Sequence, residues 1–122
     1  MTIDLARCKK NLQKRIQRKV QANEQIRLRV FQETLPRLVA WFQKNPVVEK
    51  AYLFGSILEK GNFTSESDLD LGVAGLDEKK YFEVWAQLEE IARMPIDFRT
   101  LDQNTHFAES VKKNGRVIYE RR

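Results

Sequence analysis

The sequence is poor in the residues that build disulfide frameworks and metal cages. Of its 122 residues, one is cysteine (Cys8) and one is histidine (His106). A single cysteine excludes an internal disulfide framework and a cysteine-built zinc site, and a single histidine excludes a multi-histidine metal site. We therefore expect a reduced, cytoplasmic protein.

Long hydrophobic runs are also missing. The longest ones, such as Leu38–Phe42, are far shorter than the stretch of about 20 apolar residues that spans a bilayer. Residues 1–5 lack the basic start and apolar block of a signal peptide. Because 42% of the residues are hydrophobic and no segment is low in complexity, we expect one folded domain with no membrane partner.

Negative charge is scarce in the first third of the chain. Residues 1–44 contain 11 Lys/Arg and only three Asp/Glu, whereas residues 45–122 contain 11 Lys/Arg and 14 Asp/Glu. The net charge of +5 therefore combines a basic front segment with a mildly acidic body. Such asymmetry favours an acidic or polyanionic partner for the front segment.

The spacing of helix formers, glycines and prolines predicts alternating helices and strands. Helix formers dominate residues 3–42, and the apolar residues Leu5, Cys8, Leu12 and Ile16 follow a helical spacing. Short strands are predicted over 47–54, 69–74, 96–101 and 117–119, and helices over 79–93 and 107–112. We therefore expect an α/β (α+β) fold: a small mixed β-sheet with flanking helices, preceded by a long basic N-terminal helix.

The front segment is interpreted as a basic helical arm, residues 1–24, which precedes a domain of residues 25–122. Three interpretations of the arm stay open: a solvated amphipathic helix, a contact with a partner or a second copy, and a contact with nucleic acid. Since the arm has no aromatic side chains for base stacking, we expect no nucleic-acid partner.

Three aspartates form the candidate chemical centre. Asp68 and Asp70 are two residues apart at a predicted strand, so their carboxylates point to the same face. Asp97 lies between Ile96 and Phe98 on another predicted strand. If the two strands are neighbours, the three carboxylates converge, and such hard oxygen ligands suit Mg²⁺ bound together with substrate phosphates.

A candidate phosphate-binding turn precedes the aspartates. Gly55 and Ser56 follow a predicted strand and begin a short helical turn. Glycine allows the backbone to approach a ligand closely, and serine offers a hydroxyl beside backbone amide donors. We expect this turn to bind a triphosphate.

The order of these motifs resembles that of a known family. The matching segments are Leu53-Phe54-Gly55-Ser56, Ser67-Asp68-Leu69-Asp70-Leu71 and Ile96-Asp97-Phe98. They are similar to the signature of the polymerase-β-type nucleotidyltransferase superfamily, and the small size resembles its minimal nucleotidyltransferases (MNT), the antitoxins of HEPN/MNT toxin–antitoxin pairs.

The resemblance implies a Mg²⁺-dependent adenylyltransferase of a type VII-like system, a cytoplasmic antitoxin in a hetero-oligomer with its HEPN RNase toxin. ATP supplies AMP, and the acceptor is a tyrosine hydroxyl of the toxin. Carried over by position, Gly55 and Ser56 hold the nucleotide, and Asp68, Asp70 and Asp97 are the metal ligands and catalytic residues, with Asp97 also accepting the proton. The alternative is a non-catalytic antitoxin that neutralises its partner by stoichiometric binding.

Overall fold

Residues 2–122 form four strands and four α-helices. The structure, a computed structural model, describes residues 2–122. A π-helical turn, Val30–Thr34, joins the first two helices, and two 3-10 turns follow at Gly55–Leu58 and Glu78–Lys80. The main elements are α1 (Leu5–Arg29), α2 (Leu35–Lys44), β1 (Lys50–Phe54), β2 (Leu69–Ala74), α3 (Tyr81–Ala92), β3 (Ile96–Thr100), α4 (His106–Asn114) and β4 (Arg116–Glu120).

The strands form one mixed sheet in the order β3-β2-β1-β4. Strand β1 pairs antiparallel with both β2 and β4, whereas β2 and β3 are parallel because α3 crosses over between them. This arrangement confirms the predicted α/β fold with a mixed sheet and a long N-terminal helix.

The two faces of the sheet have different partners. One face carries alternate residues of the strands, such as Leu53, Leu71 and Phe98, which are buried in the main core with residues of α2 and α3. The other face carries Tyr52 of β1, which packs with α4 in a smaller cluster. Because side chains alternate along a strand, the residues next to these core positions point towards the α4 face.

The N-terminal helical segment runs through Pro36 with a local change of winding. Proline has no backbone N–H, and its ring crowds the carbonyl four residues earlier. In the turn before Pro36, the N–H of Leu35 donates to the carbonyl of Val30, five residues back. This π-helical turn lets the helix direction continue where an ordinary α-helix would be strained.

The predicted arm lies on α1, which continues past residue 24 as far as Arg29. Every side chain from residue 2 to residue 22 is exposed, and contacts with the rest of the chain begin at the C-terminal part of the helix; residue 1 of the predicted arm lies outside the described residues. Within residues 2–122, no helix is both long and apolar enough to cross a membrane. The division of the chain at residue 24 stays a prediction.

Candidate functional site

Two of the three candidate aspartates lie side by side on the sheet. Asp70 on β2 and Asp97 on β3 are direct register partners in the parallel pair, so both point to the α4 face. Their side chains are half-buried, and their hydrophobic neighbours Leu69, Leu71 and Phe98 are buried on the opposite face. The strand pairing therefore puts two carboxylates next to each other, as the sequence predicts.

The third aspartate stands just outside the sheet. Asp68 immediately precedes β2 and is exposed, two residues from Asp70. Its negative charge still reaches Asp70, because it contributes to the raised pKa of the Asp70 carboxyl. Asp68 thus borders the Asp70–Asp97 pair from the solvent side.

The glycine of the predicted phosphate turn lies against Asp70. Gly55 has a φ of +76°, in the left-handed region that favours glycine. A Cβ atom placed on Gly55 would lie 2.1 Å from Oδ2 of Asp70. The approach follows from the antiparallel pairing of β1 with β2, in which Phe54 is the register partner of Asp70. The Gly55–Ser56 turn and the aspartates therefore share one site.

Burial and repulsion between carboxylates both act on the charge of Asp70. The pKa of Asp70 is raised from its usual 3.8 to about 6, first by burial and then by the negative charges of Asp97 and Asp68. The positive charge of Arg99 opposes this rise in pKa. A cation between the carboxylates would relieve the repulsion, so the donor set fits a divalent metal ion with oxygen ligands.

Asp97 has a basic partner, Arg99, that the sequence motifs do not indicate. The Nε atom of Arg99 donates to Oδ1 of Asp97 over 2.9 Å, and this bond raises the pKa of the guanidinium. The same guanidinium lies 5.7 Å from the ring centre of Phe107, the second residue of α4. Arg99 follows Asp97 by two residues on a strand, and this spacing predicts that the two side chains share one face of the sheet.

The three carboxylates do not form a closed cage. Within residues 2–122, no group of three His, Cys, Asp or Glu side chains stands close enough to hold a metal ion. Asp97 is turned into its ion pair with Arg99, and Asp68 is exposed to solvent. The structure thus joins Asp70, Asp97 and Gly55 directly and keeps Asp68 at the border, and the assignment of metal ligands stays a prediction.

A cleft continues from Gly55 towards α4. It has a volume of about 290 Å³ and is lined by residues that include Phe54, Phe107, Ser110 and Asn114. The rings of Phe54 and Phe107 meet edge to face, with centres 5.4 Å apart. The cleft offers apolar walls with a few polar groups, the usual character of a small-molecule site.

Helix α1 holds the loop that follows the Gly55–Ser56 turn. Nε of Arg27 donates to the carbonyl of Ile57 over 2.6 Å, and Nη1 donates to Oε1 of Glu24 over 2.9 Å. The N–H of Gly61 donates to Oε2 of Glu24 over 3.0 Å, and Nδ2 of Asn23 donates to the carbonyl of Gly61 over 3.2 Å. We call these residues the loop clamp. Local sequence patterns carry no signal for such long-range bonds.

The raised pKa of Asp70 predicts a pH dependence of stability in metal-free solution. The carboxyl ionises near pH 3.8 when unfolded and near pH 6 when folded, so ionisation opposes folding. The free energy of unfolding should fall as the pH rises from 4 to 6, by about 1 kcal/mol after allowance for solvent screening. Below pH 4 the penalty is absent, and above pH 6 it is complete.

The matched variant for this prediction is Asp70→Asn, measured by urea unfolding in EDTA. The variant should match the wild type near pH 4 and exceed it in stability above pH 6. An equal offset at every pH would show that the substitution acts through packing and not through ionisation.

Comparisons with known proteins agree with this geometry. Residues 37–122 match the family model described as polymerase beta, nucleotidyltransferase, and this range contains Gly55, Ser56 and the three aspartates. No curated protein sequence matches the chain significantly.

Solved structures share the fold. A chain in the toxin–antitoxin MntA-HepT is 21% identical over 74% of this chain and 73% of that chain, with a TM-score of 0.55. A chain in a toxin–antitoxin with AMP-PNP is 22% identical over 72% of this chain and 74% of that chain, with a TM-score of 0.59. A chain in a mutant of the toxin–antitoxin MntA-HpeT is 19% identical over the same shares, with a TM-score of 0.58. At these identities the likeness shows the fold alone.

Proposed function

Since the chain belongs to the polymerase beta nucleotidyltransferase family, we propose that it transfers AMP from ATP to a protein hydroxyl, with Mg²⁺ as cofactor. The acceptor in this proposal is a tyrosine of a HEPN-type RNase toxin, and the chain is the antitoxin. The observation that carries the proposal is the close approach of Gly55 to the Asp70 carboxylate, which fills the place of a Cβ, beside Asp97.

The cofactor assignment is supported by the carboxylates that the sheet forces together. Asp70 and Asp97 are register partners, and the pKa of Asp70 is raised first by burial and then by the negative charges of Asp97 and Asp68. We assign all three as the residues that would hold Mg²⁺. When bound, Mg²⁺ supplies positive charge for the triphosphate and for the oxygens whose bonds change.

The nucleotide assignment is supported by the shape of the turn at Gly55. Without a side chain, Gly55 lets its turn lie directly against the Asp70 carboxylate, so a triphosphate bound at this turn would lie next to Asp70. Ser56 follows at the start of the 3-10 turn and supplies a hydroxyl there. The loop clamp fixes the residue after Ser56, because Arg27 binds the carbonyl of Ile57.

The reaction in this proposal is an in-line displacement. The acceptor oxygen forms a bond to the α-phosphorus of ATP, the bond between that phosphorus and the bridging oxygen to the β-phosphate breaks, and pyrophosphate leaves. The acceptor proton passes to the carboxylate of Asp97. Arg99, which holds Asp97 at 2.9 Å in the free protein, orients that carboxylate. Most of the rate gain comes from positioning and from charge stabilisation.

The assignment of the partner is supported by the structural comparisons. The matching chains come from toxin–antitoxin structures, and one of these structures is a complex with AMP-PNP. An ATP analogue in a protein of the same fold agrees with a nucleotide site at Gly55.

The test of the proposal is transfer of label to the partner. The assay contains the chain, Mg²⁺ and the proposed partner, a HEPN-type RNase, with ATP labelled either at the α- or at the γ-phosphate. We expect α-label, and no γ-label, to become covalently attached to the RNase, with loss of its activity. EDTA should prevent the labelling.

The control is the RNase in which the labelled tyrosine is replaced by phenylalanine, which should stay unlabelled and active. Inhibition of the RNase at a 1:1 ratio without any attached label would contradict the enzymatic proposal. That outcome would identify the chain as a non-catalytic antitoxin.

A further inference from the structure

The front of α1 carries an apolar stripe that is uncovered. The stripe consists of Leu5, Cys8, Leu12, Ile16 and Val20, which recur every three or four residues and therefore share one face of the helix. The exposed fractions are 75% for Leu5, 57% for Leu12, 54% for Ile16 and 42% for Val20. Such a helix projecting alone into water gains no stability from packing of its apolar face.

The same face of α1 binds the body of the protein further along the helix. Val20 lies at Gly61, where a Cβ on the glycine would be 3.0 Å from Cγ1 of the valine. Asn23 and Arg27, at the next positions of this face, bind Gly61 and Ile57 through the loop clamp. The apolar stripe thus lies on the same side of α1 as the domain.

The helix and the domain therefore form a corner. Residues 5–19 extend beyond the contact at Gly61 for about 22 Å, at 1.5 Å per residue. One wall of the corner is the apolar stripe, and the other begins at the loop that joins Ser56 to Asp68. A partner in this corner lies next to the loop that carries the proposed nucleotide turn.

The charge of the arm decides which partner fits the corner. Residues 2–20 contain one acidic residue, Asp4, against seven cations: Arg7, Lys9, Lys10, Lys14, Arg15, Arg18 and Lys19. Lys9 and Lys19 border the apolar stripe, since Lys9 is three or four residues from Leu5 and Leu12, and Lys19 is three residues from Ile16. The stripe of a second copy carries the same positive borders, so self-pairing along the arms is opposed by charge.

Other partners of a basic helix fit less well. A nucleic acid would bind the cations and leave the apolar stripe uncovered. A flat bilayer could not reach the stripe without meeting the domain, which lies on the same side. A narrow element with its own apolar ridge and acidic borders matches both the shape and the charge.

We propose that the apolar stripe docks an acidic amphipathic helix of the toxin partner, with an apolar ridge between Asp and Glu side chains. The proposal rests on the proposed function for the identity of the partner chain. Docking in the corner brings the acceptor protein to the loop between Ser56 and Asp68 before transfer begins. The arm is then the element that recognises the protein substrate.

The first test removes the apolar contacts. The double variant Leu12→Gln/Ile16→Gln keeps helix-forming side chains at exposed positions, so we expect an unchanged fold by circular dichroism. Its dissociation constant for the HEPN-type RNase, measured by calorimetry without ATP, should rise at least tenfold. An unchanged dissociation constant would overturn the proposal.

The second test compares two charge variants of equal size. Lys9→Gln/Lys19→Gln removes two cations beside the stripe, and Lys14→Gln/Arg18→Gln removes two from the far side of α1. We expect the first pair to weaken binding of the RNase at least threefold more than the second at 0.15 M salt. Equal weakening by both pairs would indicate general attraction and overturn specific docking.

The remaining outcomes identify other occupants. A dimer of the wild type alone that becomes a monomer in Leu12→Gln/Ile16→Gln would assign the stripe to a second copy. Displacement of the RNase by a single-stranded RNA oligonucleotide, or binding of the arm to anionic phosphatidylserine vesicles through the stripe, would overturn the proposal in the same way.

The tests also separate this proposal from the enzymatic one. AMP transfer that is insensitive to the stripe variants overturns the docking proposal and leaves the proposed function intact. Binding of the RNase that depends on the stripe, without any AMP transfer, overturns the proposed function and leaves the docking proposal intact.

Discussion

Replacement of Asp68 or Asp70 by asparagine should abolish the proposed AMP transfer, with an expected loss of about 10³-fold or more in rate. The substitution keeps the size of the side chain and removes the charge that would hold Mg²⁺ at the triphosphate. A loss of this size corresponds to about 4 kcal/mol of transition-state stabilisation. Initial rates of α-label incorporation measure it.

The fold should survive both substitutions. Asp68 is exposed, and loss of the charge at Asp70 removes a repulsion that raises its pKa. The matched control is Glu66→Gln, which removes an exposed negative charge two residues before Asp68. The control should keep nearly full activity. Full activity in Asp68→Asn or Asp70→Asn would refute the metal assignment.

Replacement of Gly55 by alanine should lower activity much more than it lowers the stability of the fold. The new Cβ would lie 2.1 Å from Oδ2 of Asp70, and alanine at a φ of +76° is strained by about 1–2 kcal/mol. The Asp70 side chain can rotate away from the methyl group, so we expect only this modest loss of stability. The displaced carboxylate should lower kcat/KM for ATP about 100-fold, because small misplacements of reacting groups are costly.

Gly75→Ala is the matched control for this variant. Gly75 follows the other end of β2, has a φ of +81°, and a Cβ there would lie 2.5 Å from Cγ of Glu49. Gly75→Ala thus has a backbone strain and a clash with a flexible acidic side chain similar to those of Gly55→Ala. It lies at the end of β2 that is far from Asp70. We expect a similar shift in the urea midpoint with kcat/KM retained. Equal losses of activity in both variants would show that Gly55 acts only through stability.

The strands that carry the aspartates were readable from the sequence because they alternate. The sequence alternates Leu69, Leu71 and Val73 with other residues, and this alternation predicts both β2 and the face on which Asp70 lies. In the structure these three residues are buried, and the residues between them face α4. The first strand was predicted to begin at Val47, but β1 begins at Lys50. Val48 is buried in the core without strand pairing, and apolar composition alone does not separate these cases.

The apolar pattern of α1 weakens at residues 21–25, but the helix does not end there. The side chains of Asn23 and Glu24 bind Gly61 of a distant loop. The local periodicity of a sequence does not show whether a polar residue makes a long-range contact.

The contacts around Asp97 show the same limit. The sequence places Asp97 and Arg99 on one face of a strand, but the pairing of Asp97 with Asp70 depends on the parallel register of β2 and β3. The position of Phe107 over Arg99 depends in turn on where α4 packs. The whole core sets the strand register and the packing of α4. Residue types and spacing can therefore predict the aspartates as candidate site residues, but not which residues lie next to them.

The most direct measurement is a crystal structure of the chain with AMP-PNP and Mn²⁺, which reports the metal by its anomalous scattering. We expect a metal peak about 2.0–2.5 Å from carboxylate oxygens of Asp68, Asp70 and Asp97, with the triphosphate against Gly55 and Ser56. A nucleotide bound elsewhere, or a metal bound without contact to these carboxylates, would contradict it.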